Sequence, residues 1–459
     1  MSNKLHYHLI GIGGSGMSAI AQILRDRGET VSGSDRQESE TTRRLSASGI
    51  GVHIGHDGGN INGADVVVYS AAIPPDNPEI QAARERGIPV LERPAMLGEI
   101  MKPYRHRVAV SGTHGKTTTT SMLNCILEEA ALDATALIGG DLKTLGGNAK
   151  LGRGSIIITE ACEAFESFLH LHPSIAVITN IDADHLDYYG TIEDIQESFK
   201  QFLTQVDPDG CVIACSDDPR VRTVAEGCGR RVVWFGLSGS PDVGADDVDI
   251  SNPEPTFTLV RNGSELGQVS LGVPGKQNIV DALAAAAAAF ELGAGFDDIS
   301  AALRGFRGAS RRFEIMYDNH GVMVVDDYAH HPVEIKATLA SARAAYEKRL
   351  IAVFQPHLYS RTRIFLNDFA DALSIADQVM VAPIYASRER PQEGVSAEAI
   401  VKRMEEFGFA NAAYAPDKDL IARDLASRIG EGDMVIVLGA GDIRTVSEEL
   451  ASLLSERVG

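Results

Sequence analysis

Apolar runs rich in valine and isoleucine recur at intervals of roughly 20 to 40 residues, with helix-like stretches between them. Strands that are apolar along their whole length are typical of parallel sheets whose two faces are covered by helices. The pattern therefore predicts an α/β fold in which the sheets are mostly parallel. The predicted strands are 5–10, 64–70, 88–90, 107–110, 155–159, 175–179, 211–214, 322–325, 350–354, 378–381 and 434–438.

Two breaks in this pattern divide the 459 residues into three predicted domains, which agrees with a size of roughly 150 residues per domain. A polar, proline-containing stretch lies at 102–104, and two glycines, Gly305 and Gly308, follow a helical region. The predicted domains are 1–104, 105–307 and 308–459. Within the second domain, residues 237–270 have a weaker β pattern. Residues 282–289, seven alanines and one leucine, predict a helix packed closely against a sheet.

The charge balance narrows the choice of partners. The chain has 42 Lys and Arg against 63 Asp and Glu, a formal net charge of −21. Long-range repulsion therefore disfavours duplex nucleic acid and anionic membrane surfaces, although local basic pockets for phosphates remain compatible with this charge. Five cysteines without a CxxC pair indicate a reducing compartment. Because no apolar run approaches about 18 residues and no signal peptide is evident, we expect a cytoplasmic protein.

A glycine-rich loop directly follows the first predicted strand. Gly11, Gly13, Gly14, Ser15 and Gly16 fit the pattern G-x-G-x-x-G, and the next residues predict a helix. Glycines let the backbone approach a diphosphate, which the helix N-terminus favours electrostatically. Asp35 follows at the distance where an acidic side chain often meets a ribose hydroxyl. Taken alone, the loop predicts dinucleotide binding, as in an NAD-dependent oxidoreductase. The alternative is a turn without a ligand.

A second glycine loop, SGTHGKT, follows the strand at 107–110. Amides around Gly115 can surround phosphates, Lys116 can reach the terminal pair, and the Thr117 hydroxyl can bind Mg²⁺. The loop departs from the general P-loop pattern at Val110, where that pattern has its first glycine. We interpret the segment as a nucleotide-binding loop, against the alternative of a strand-to-helix turn with a solvated lysine.

Acidic segments follow two further strands of the second domain. Glu160 ends the run 155–159, and Asp182, Asp184, His185 and Asp187 follow the run 175–179. Ligands of parallel sheets bind at the carboxyl ends of the strands, so these side chains are expected near Lys116. Glu160 offers the oxygen that Mg²⁺ prefers, whereas a histidine such as His185 more often serves in hydrogen bonding.

The third domain has polar segments after its strands. They are 310–314 (SRRFE), 326–332 (DDYAHHP) and 354–363 (FQPHLYSRTR). Three histidines, His330, His331 and His357, raise the alternative of a zinc site, but no H-E-x-x-H motif or cysteine partner accompanies them. The arginines suit recognition of phosphate and carboxylate groups, with a solvated charge cluster as the alternative.

Eight segments together resemble those of the Mur ligase family, and within it the member that joins L-alanine to UDP-N-acetylmuramate. They occur in the family's order over nearly the whole chain: GIGGSGM, YSAAIPPDNPE, GTHGKTTTT, SFLHLHP, TNIDADHLDYYG, SRRFE, DDYAHHP and FQPHLYSRTR. The resemblance implies three domains: an N-terminal Rossmann-like domain that binds the UDP-sugar, a central P-loop-type ATPase domain with a mostly parallel sheet, and a C-terminal Rossmann-like domain. It also implies that the first loop binds a UDP diphosphate and not a nicotinamide cofactor.

The resemblance further implies an ATP- and Mg²⁺-dependent reaction in which the lactyl carboxylate of UDP-N-acetylmuramate is activated as an acyl phosphate and then joined to L-alanine, in peptidoglycan precursor synthesis. The implied catalytic residues are Lys116, His185 and Arg312, and the implied metal ligands are Thr117, Glu160 and His185. The implied ATP-binding residues are Gly112, Thr113, His114, Gly115, Lys116, Thr117, Thr118, Asn278, Asp281, Arg312 and Asp327. The UDP-sugar would contact Gly11, Gly13, Gly14, Ser15, Gly16, Asp35, His56 and Ser70, and alanine would contact Tyr328, His357 and Arg361.

Two segments depart from the family pattern. Gln277, Asn278 and Asp281 stand where members usually have H-N-x-x-N, which affects the expected adenine contacts. Cys162 occupies a position that usually holds a carboxylate. Because Glu160 is still present, it is kept as the expected metal ligand, and Glu163 is given little weight. The alternatives that remain are a recycling ligase that attaches a tripeptide to the same sugar nucleotide, an oxidoreductase and a non-catalytic nucleotide-binding protein. The expected state is a monomer or a homodimer.

Overall fold

The computed structural model describes residues 4–142, 147–387 and 389–457. It divides into two compact units. The first comprises Met1–Ala245, Leu259–Gly267 and Asp281–Leu303, and the second comprises Asp246–Thr258, Gln268–Val280 and Arg304–Gly459. In the described residues, no helix combines the length and the apolar composition that crossing a bilayer requires.

The first sheet has five strands in the order β3-β2-β1-β4-β5, all paired in parallel. Its strands are β1 (His6–Ile10), β2 (Thr30–Asp35), β3 (Gly51–Ile54), β4 (Val66–Tyr69) and β5 (Val90–Glu92), and its helices are α1 (Ser15–Asp26), α2 (Glu40–Ala47), α3 (Pro78–Glu85) and α4 (Arg93–Met101). Because β2 and β4 lie on opposite sides of β1, the loop after β1 opens at the point where the strand order reverses.

The central sheet has ten strands in the order β15-β14-β13-β12-β11-β10-β6-β9-β7-β8. The strands from β13 to β7 in this order pair in parallel, whereas β8 is antiparallel to β7. The strands are β6 (His106–Ser111), β7 (Thr135–Leu142), β8 (Gly147–Lys150), β9 (Ile156–Glu160), β10 (Ile175–Ile178), β11 (Cys211–Cys215), β12 (Arg231–Gly236), β13 (Val243–Asp249), β14 (Thr256–Arg261) and β15 (Ser264–Ser270).

Six helices accompany this sheet: α5 (Lys116–Glu129), α6 (Leu186–Tyr189), α7 (Ile192–Thr204), α8 (Pro219–Ala225), α9 (Lys276–Glu291) and α10 (Phe296–Gly305), with a 3-10 segment at Ala164–His170. The alanine run lies in α9, and each of its alanines is at most 1% exposed. Small side chains let this helix approach its neighbours closely, as the sequence predicts.

The third sheet, in the second unit, has the order β16-β17-β21-β18-β19-β20, and only β16 pairs antiparallel. Its strands are β16 (Glu314–Asn319), β17 (Val322–Asp327), β18 (Arg349–Phe354), β19 (Gln378–Val381), β20 (Ala412–Tyr414) and β21 (Asp433–Leu438). Its helices are α11 (Pro332–Ala345), α12 (Tyr359–Ile364), α13 (Leu366–Leu373), α14 (Glu398–Glu406), α15 (Ile421–Arg428) and α16 (Arg444–Glu456), with a 3-10 turn at Lys418–Leu420.

Each predicted strand has a counterpart in the structure, and no end is displaced by more than two residues. The weaker β pattern at 237–270 corresponds to β13, β14 and β15. The predictions omitted β2, β3, β12, β16, β20 and the β7–β8 pair, and most of these strands contain polar residues or glycine in place of a continuous apolar run. Short or half-exposed strands lack the uniform apolar signal of buried parallel ones.

Candidate functional site

The first glycine loop is closed by backbone and carboxylate hydrogen bonds from β2. The amides of Gly11 and Ile12 both donate to the Ser34 carbonyl oxygen, at 2.8 and 3.0 Å. The Gly13 amide donates to Asp35 Oδ2 at 2.9 Å. Asp35 therefore holds the loop itself, and a side chain on Gly13 would place its Cβ 2.8 Å from that carboxylate oxygen.

His56 and Ser34 belong to a network around Glu79, a fully buried carboxylate on α3. Glu79 Oε2 accepts a hydrogen bond from Ser34 Oγ at 2.6 Å and lies 3.0 Å from His56 Nδ1. Asn60 Nδ2 donates to Glu79 Oε1 at 2.7 Å. Burial would raise the pKa of Glu79, but hydrogen bonds from His8, Ser34 and Asn60 outweigh it and lower the pKa to about 2.

The second loop connects β6 to α5 through residues 112–115. Gly112 has φ +133°, and a Cβ there would clash with the Thr179 hydroxyl. Gly115 has φ +83° and lies against the buried Asp281 carboxylate. Both positions require glycine, because the backbone conformation and the neighbouring polar groups leave no room for a side chain.

Asn180, directly after β10, fixes the same loop from the side. Its Oδ1 accepts from the His114 amide at 2.8 Å, and its Nδ2 donates to the His114 carbonyl at 3.0 Å. The Thr113 amide donates to the Asn180 carbonyl at 3.1 Å, and Thr113 Oγ1 accepts from the Asp182 amide at 2.8 Å. The loop is thus held in shape by the strand-end segment that follows β10.

Lys116 begins α5 and is bound on several sides. Its ammonium group donates to the carbonyls of Gly112 and Thr113 and forms an ion pair with Glu163 Oε2 at 2.9 Å. Burial alone would lower the pKa of Lys116, but the charge and hydrogen bond of the Glu163 carboxylate, with a smaller contribution from Glu160, raise it to about 12. Lys116 is therefore a fixed positive charge. Thr117 and Thr118 follow it in the first turn of α5 and are both buried.

Oxygen donors surround this lysine at the carboxyl end of β9. Glu160 Oε1 accepts from the Gly139 amide at 2.6 Å. His185 has φ +54° at the start of α6, and its Nε2 lies 3.9 Å from both Glu163 Oε1 and Asp184 Oδ2. Thr117 and Glu160 carry oxygen atoms of the type that Mg²⁺ prefers, and His185 carries one imidazole. The Asp187 side chain lies outside the described residues.

A cavity of about 370 Å³ joins the first glycine loop to this edge of the central sheet. Its lining residues are Gly14, Ser15, Gly16, Met17, Ala19, Ile20, Ser70, Arg93, Leu97, Leu137, Ile138, Gly139, Thr159, Glu160 and Cys162. Burial and the Glu163 carboxylate raise the pKa of the Cys162 thiol, so Cys162 is neutral near pH 7. The cavity therefore brings the predicted sugar-nucleotide residues to a predicted metal ligand, Glu160.

Residues at the start of α9 have contacts in their own units. The Asn278 side chain donates to the Pro274 carbonyl at 2.6 Å, and Gln277 Oε1 accepts from Ser341 Oγ at 2.9 Å. Asp281, the predicted adenine contact, is 7% exposed and packs against Gly115. The departures from H-N-x-x-N thus place one carboxylate directly beside the second glycine loop.

In the second unit, Arg312, Asp327 and Tyr328 lie together. Asp327 Oδ2 accepts from the Phe313 amide at 2.9 Å, and its Oδ1 accepts from the Ala329 amide at 2.7 Å. Burial raises the pKa of Asp327 to about 6, with Arg312 opposing the shift. The Arg312 guanidinium lies 5.3 Å from the Tyr328 ring centre and 3.8 Å from Glu334 Oε1. Asp327 therefore organises the segment that carries Arg312.

The predicted alanine residues are connected through ring contacts in the same unit. Arg361 is 6% exposed on α12, and its Nη1 lies 3.2 Å from His357 Nδ1. The His330 ring lies between Tyr328 and His357, with centroid distances of 5.3 and 5.7 Å. His331 caps the N-terminus of α11. Each of the three histidines therefore has protein contacts of its own.

Family models match the three segments of this architecture in order. The Mur ligase catalytic-domain model covers residues 6–105, the Mur ligase middle-domain model covers 110–289, and the Mur ligase glutamate-ligase-domain model covers 311–441. The chain belongs to the Mur ligase family. This confirms the expected ligase class, and the boundaries of the predicted domains stay predictions. Ligases of this family are ATP-dependent, which supports ATP as the expected nucleotide.

Individual relatives are similar over nearly their full length. The UDP-N-acetylmuramate–L-alanine ligase of Geotalea daltonii is 44% identical over 98% of both chains. That of Symbiobacterium thermophilum is 45% identical over 98% of this chain and 95% of its own. The crystal structure of the Thermotoga maritima UDP-N-acetylmuramate–alanine ligase has a TM-score of 0.85 at 29% identity, covering 99% of this Mur ligase and 100% of that chain. These matches confirm the three-domain α/β fold class.

A murein peptide ligase from Psychrobacter arcticus is also similar, with a TM-score of 0.71 at 25% identity over 98% of both chains. A ligase named for murein peptides therefore shares this architecture, and fold alone does not separate it from the L-alanine ligases.

Three residues of the site were missed or undervalued by the sequence analysis. Glu163, given little weight there, forms the ion pair with Lys116. Asn180 was treated only as the end of a strand, although a polar side chain after a buried strand was an available signal. Arg93 lines the cavity but stands outside every motif, and no local pattern indicated it.

Proposed function

We propose that this Mur ligase joins L-alanine to the lactyl carboxylate of UDP-N-acetylmuramate while ATP is converted to ADP and phosphate. The observation that carries the proposal is the cavity that links the first glycine loop to Glu160, beside the loop of Lys116. A sugar nucleotide bound at the first loop would direct its sugar towards the phosphate-binding edge. The high identity to L-alanine ligases supports the choice of amino acid.

The proposed chemistry has two steps. A carboxylate oxygen attacks the γ-phosphorus of ATP, and the bond from that phosphorus to the bridging oxygen breaks, which releases ADP and leaves an acyl phosphate. The alanine amine then attacks the acyl carbon, loses a proton, and expels phosphate as the amide forms. The first step brings two anions together, so fixed positive charges are needed where negative charge accumulates.

Lys116 supplies such a charge, because its raised pKa keeps it protonated at any physiological pH. We assign it to the β- and γ-phosphates, and we assign Arg312 to the γ-phosphate. The other proposed ATP contacts are Gly112, Thr113, His114, Gly115, Thr117, Thr118, Asn278, Asp281 and Asp327. Thr117, Glu160 and His185 would hold Mg²⁺, whose chemistry when bound is to neutralise phosphate charge.

The two other substrates are assigned to separate residue sets. The UDP-sugar contacts are Gly11, Gly13, Gly14, Ser15, Gly16, Asp35, His56 and Ser70. Asp35 acts through its hydrogen bond to the Gly13 amide. Alanine is assigned to Tyr328, His357 and Arg361, with the Arg361 guanidinium as a planar partner for the alanine carboxylate.

A coupled assay of ADP release tests the proposal. We expect ADP only when UDP-N-acetylmuramate, L-alanine, ATP and Mg²⁺ are all present, and a new amide product in equal amount. Turnover with the tripeptide and none with L-alanine would reassign the chain to the recycling activity. NADH oxidation without ADP release would overturn the ligase reaction altogether.

A further inference from the structure

Arg93 lines the cavity between the first glycine loop and Glu160. It is the first residue of α4, and its half-buried side chain lines the cavity together with Gly16, Ser70 and Cys162. The guanidinium packs directly on the loop, since a Cβ on Gly16 would lie 3.0 Å from Arg93 Nη1 and 3.1 Å from Cδ. Gly16 therefore makes room for this arginine.

No hydrogen bond or ion pair engages the Arg93 guanidinium among the described residues. Glu160, the one carboxylate in the cavity wall, is bound to the Gly139 amide. A partly desolvated guanidinium is stabilised by a planar anion that can accept two parallel hydrogen bonds.

We propose that Arg93 binds the lactyl carboxylate of the sugar nucleotide and holds it between the first glycine loop and the metal edge. This inference rests on the proposed function and adds a substrate-binding residue to it. The backbone amides of the glycine loop already offer donors for the diphosphate. The part of the substrate that extends from that loop towards Glu160 is the sugar with its carboxylate, and Arg93 lies along that path.

Calorimetric binding of two ligands isolates the carboxylate. UDP-N-acetylmuramate carries it, whereas UDP-N-acetylglucosamine has the same uridine, diphosphate and amino sugar without it. We expect Arg93→Ala to raise the Kd of UDP-N-acetylmuramate by about 10- to 100-fold. The Kd of UDP-N-acetylglucosamine should change by less than about twofold. Arg93→Lys, which keeps the charge but loses the planar fork, should recover only part of the affinity.

Arg84→Ala is the matched control, because Arg84 is an exposed arginine on α3 of the same domain. It should leave both Kd values unchanged. Arg93→Gln replaces the alanine variant if thermal unfolding shows that the shorter side chain destabilises the domain.

Equal weakening of both ligands would assign Arg93 to the diphosphate and overturn the proposal, and so would unchanged binding of UDP-N-acetylmuramate. A wild-type protein that binds neither ligand and releases no ADP would instead refute the proposed function. Loss of carboxylate-dependent affinity in a protein that still binds UDP-N-acetylglucosamine is the result that supports Arg93.

Discussion

The two glycine loops of the first unit have similar chain geometry and opposite electrostatics. Each follows a central parallel strand and opens into a helix of 12 or 14 residues. The first loop contains no cation, and its Gly13 amide is bound to the Asp35 carboxylate. The second contains Lys116, which is bound to the Glu163 carboxylate and to two carbonyls of its own loop.

This difference shows how one architecture serves two anions. The first loop offers neutral backbone donors, and the guanidinium that packs on it, that of Arg93, comes from α4. The second carries its cation within the loop, where a triphosphate concentrates charge. A diphosphate esterified on both sides needs positioning, whereas a phosphate that reacts also needs charge neutralisation.

Of the substitutions considered, removal of the Lys116 side chain should give the largest difference between the effects on the second loop and on the first. We expect Lys116→Ala to lower kcat for ADP release by about 10²- to 10³-fold or more, because a charge aimed at the reacting phosphate is lost. Binding of UDP-N-acetylmuramate should stay within about twofold. Lys200→Ala, at an exposed site on α7, serves as the control. Equal loss of catalysis and sugar-nucleotide binding would contradict the assignment of separate loops.

Gly112→Ala tests the shape of the second loop. The new methyl group would meet the Thr179 hydroxyl at a backbone φ of +133°, so we expect the free energy of unfolding to fall by about 2–4 kcal/mol. Urea unfolding measures the change. Gly28→Ala, which has φ +88° and open space around it, should cost only about 1 kcal/mol. A similar decrease in the free energy of unfolding for both variants would show that the Thr179 side chain moves aside to accommodate the methyl group.

Glu79→Gln tests the support of the first loop, since Glu79 binds Ser34 and the Ser34 carbonyl receives two loop amides. The NH₂ group of glutamine would face side chains that donate hydrogen bonds to the Glu79 carboxylate. We therefore expect the free energy of unfolding to fall by about 1–3 kcal/mol near pH 7. The pKa of Glu79 is lowered from 4.5 to about 2 by folding. Its stabilisation is therefore complete above pH 4.5 and is lost as the pH falls towards 2.

Unfolding curves measured between pH 3 and 7 should show that the difference in stability between the wild-type protein and the Glu79→Gln variant becomes smaller as the pH falls. Glu85→Gln, an exposed site on the same helix, provides the comparison. A stability difference that stays constant with pH would mean that Glu79 does not titrate as its hydrogen bonds require.

Glu163→Gln should give the smallest effect, about 1–2 kcal/mol of stability, because Lys116 keeps its carbonyl partners. The loss should shrink when ATP and Mg²⁺ are present, since the phosphates then bind the ammonium group. Thermal unfolding with and without nucleotide measures both values, with Glu166→Gln as the control. A loss that nucleotide does not reduce would argue against an exchange of partners.

Local sequence patterns predicted the elements whose residues interact mainly with near neighbours in the sequence. Both glycine loops, the strands before them and the alanine helix follow from runs of residues that interact with near neighbours. The pairing of Lys116 with Glu163 joins positions 47 residues apart, and the strands between them decide it. Arg93 and Gly16 likewise meet only because α4 returns to the first loop. The spacing of motifs carries no information about such contacts.

The same reasoning explains why the antiparallel pair of β7 and β8 was missed. Its strands contain Gly, Asn and Thr, and Asn148 on β8 donates to the Ser15 carbonyl at 2.6 Å. A strand whose polar side chain faces another domain has no apolar alternation to reveal it. Tertiary contact, more than local propensity, therefore determines this element.

The ion pair between Lys116 and Glu163 also bears on which anions the second loop retains. Since the ammonium group is already engaged, an incoming anion must displace a carboxylate that then needs a new cation. Free orthophosphate brings no such cation, whereas a magnesium–nucleotide complex delivers one together with its phosphates. We expect the loop to bind the magnesium–nucleotide complex and not to bind free orthophosphate. The Glu163 counter-ion would thus make the loop selective for anions that carry their own metal ion.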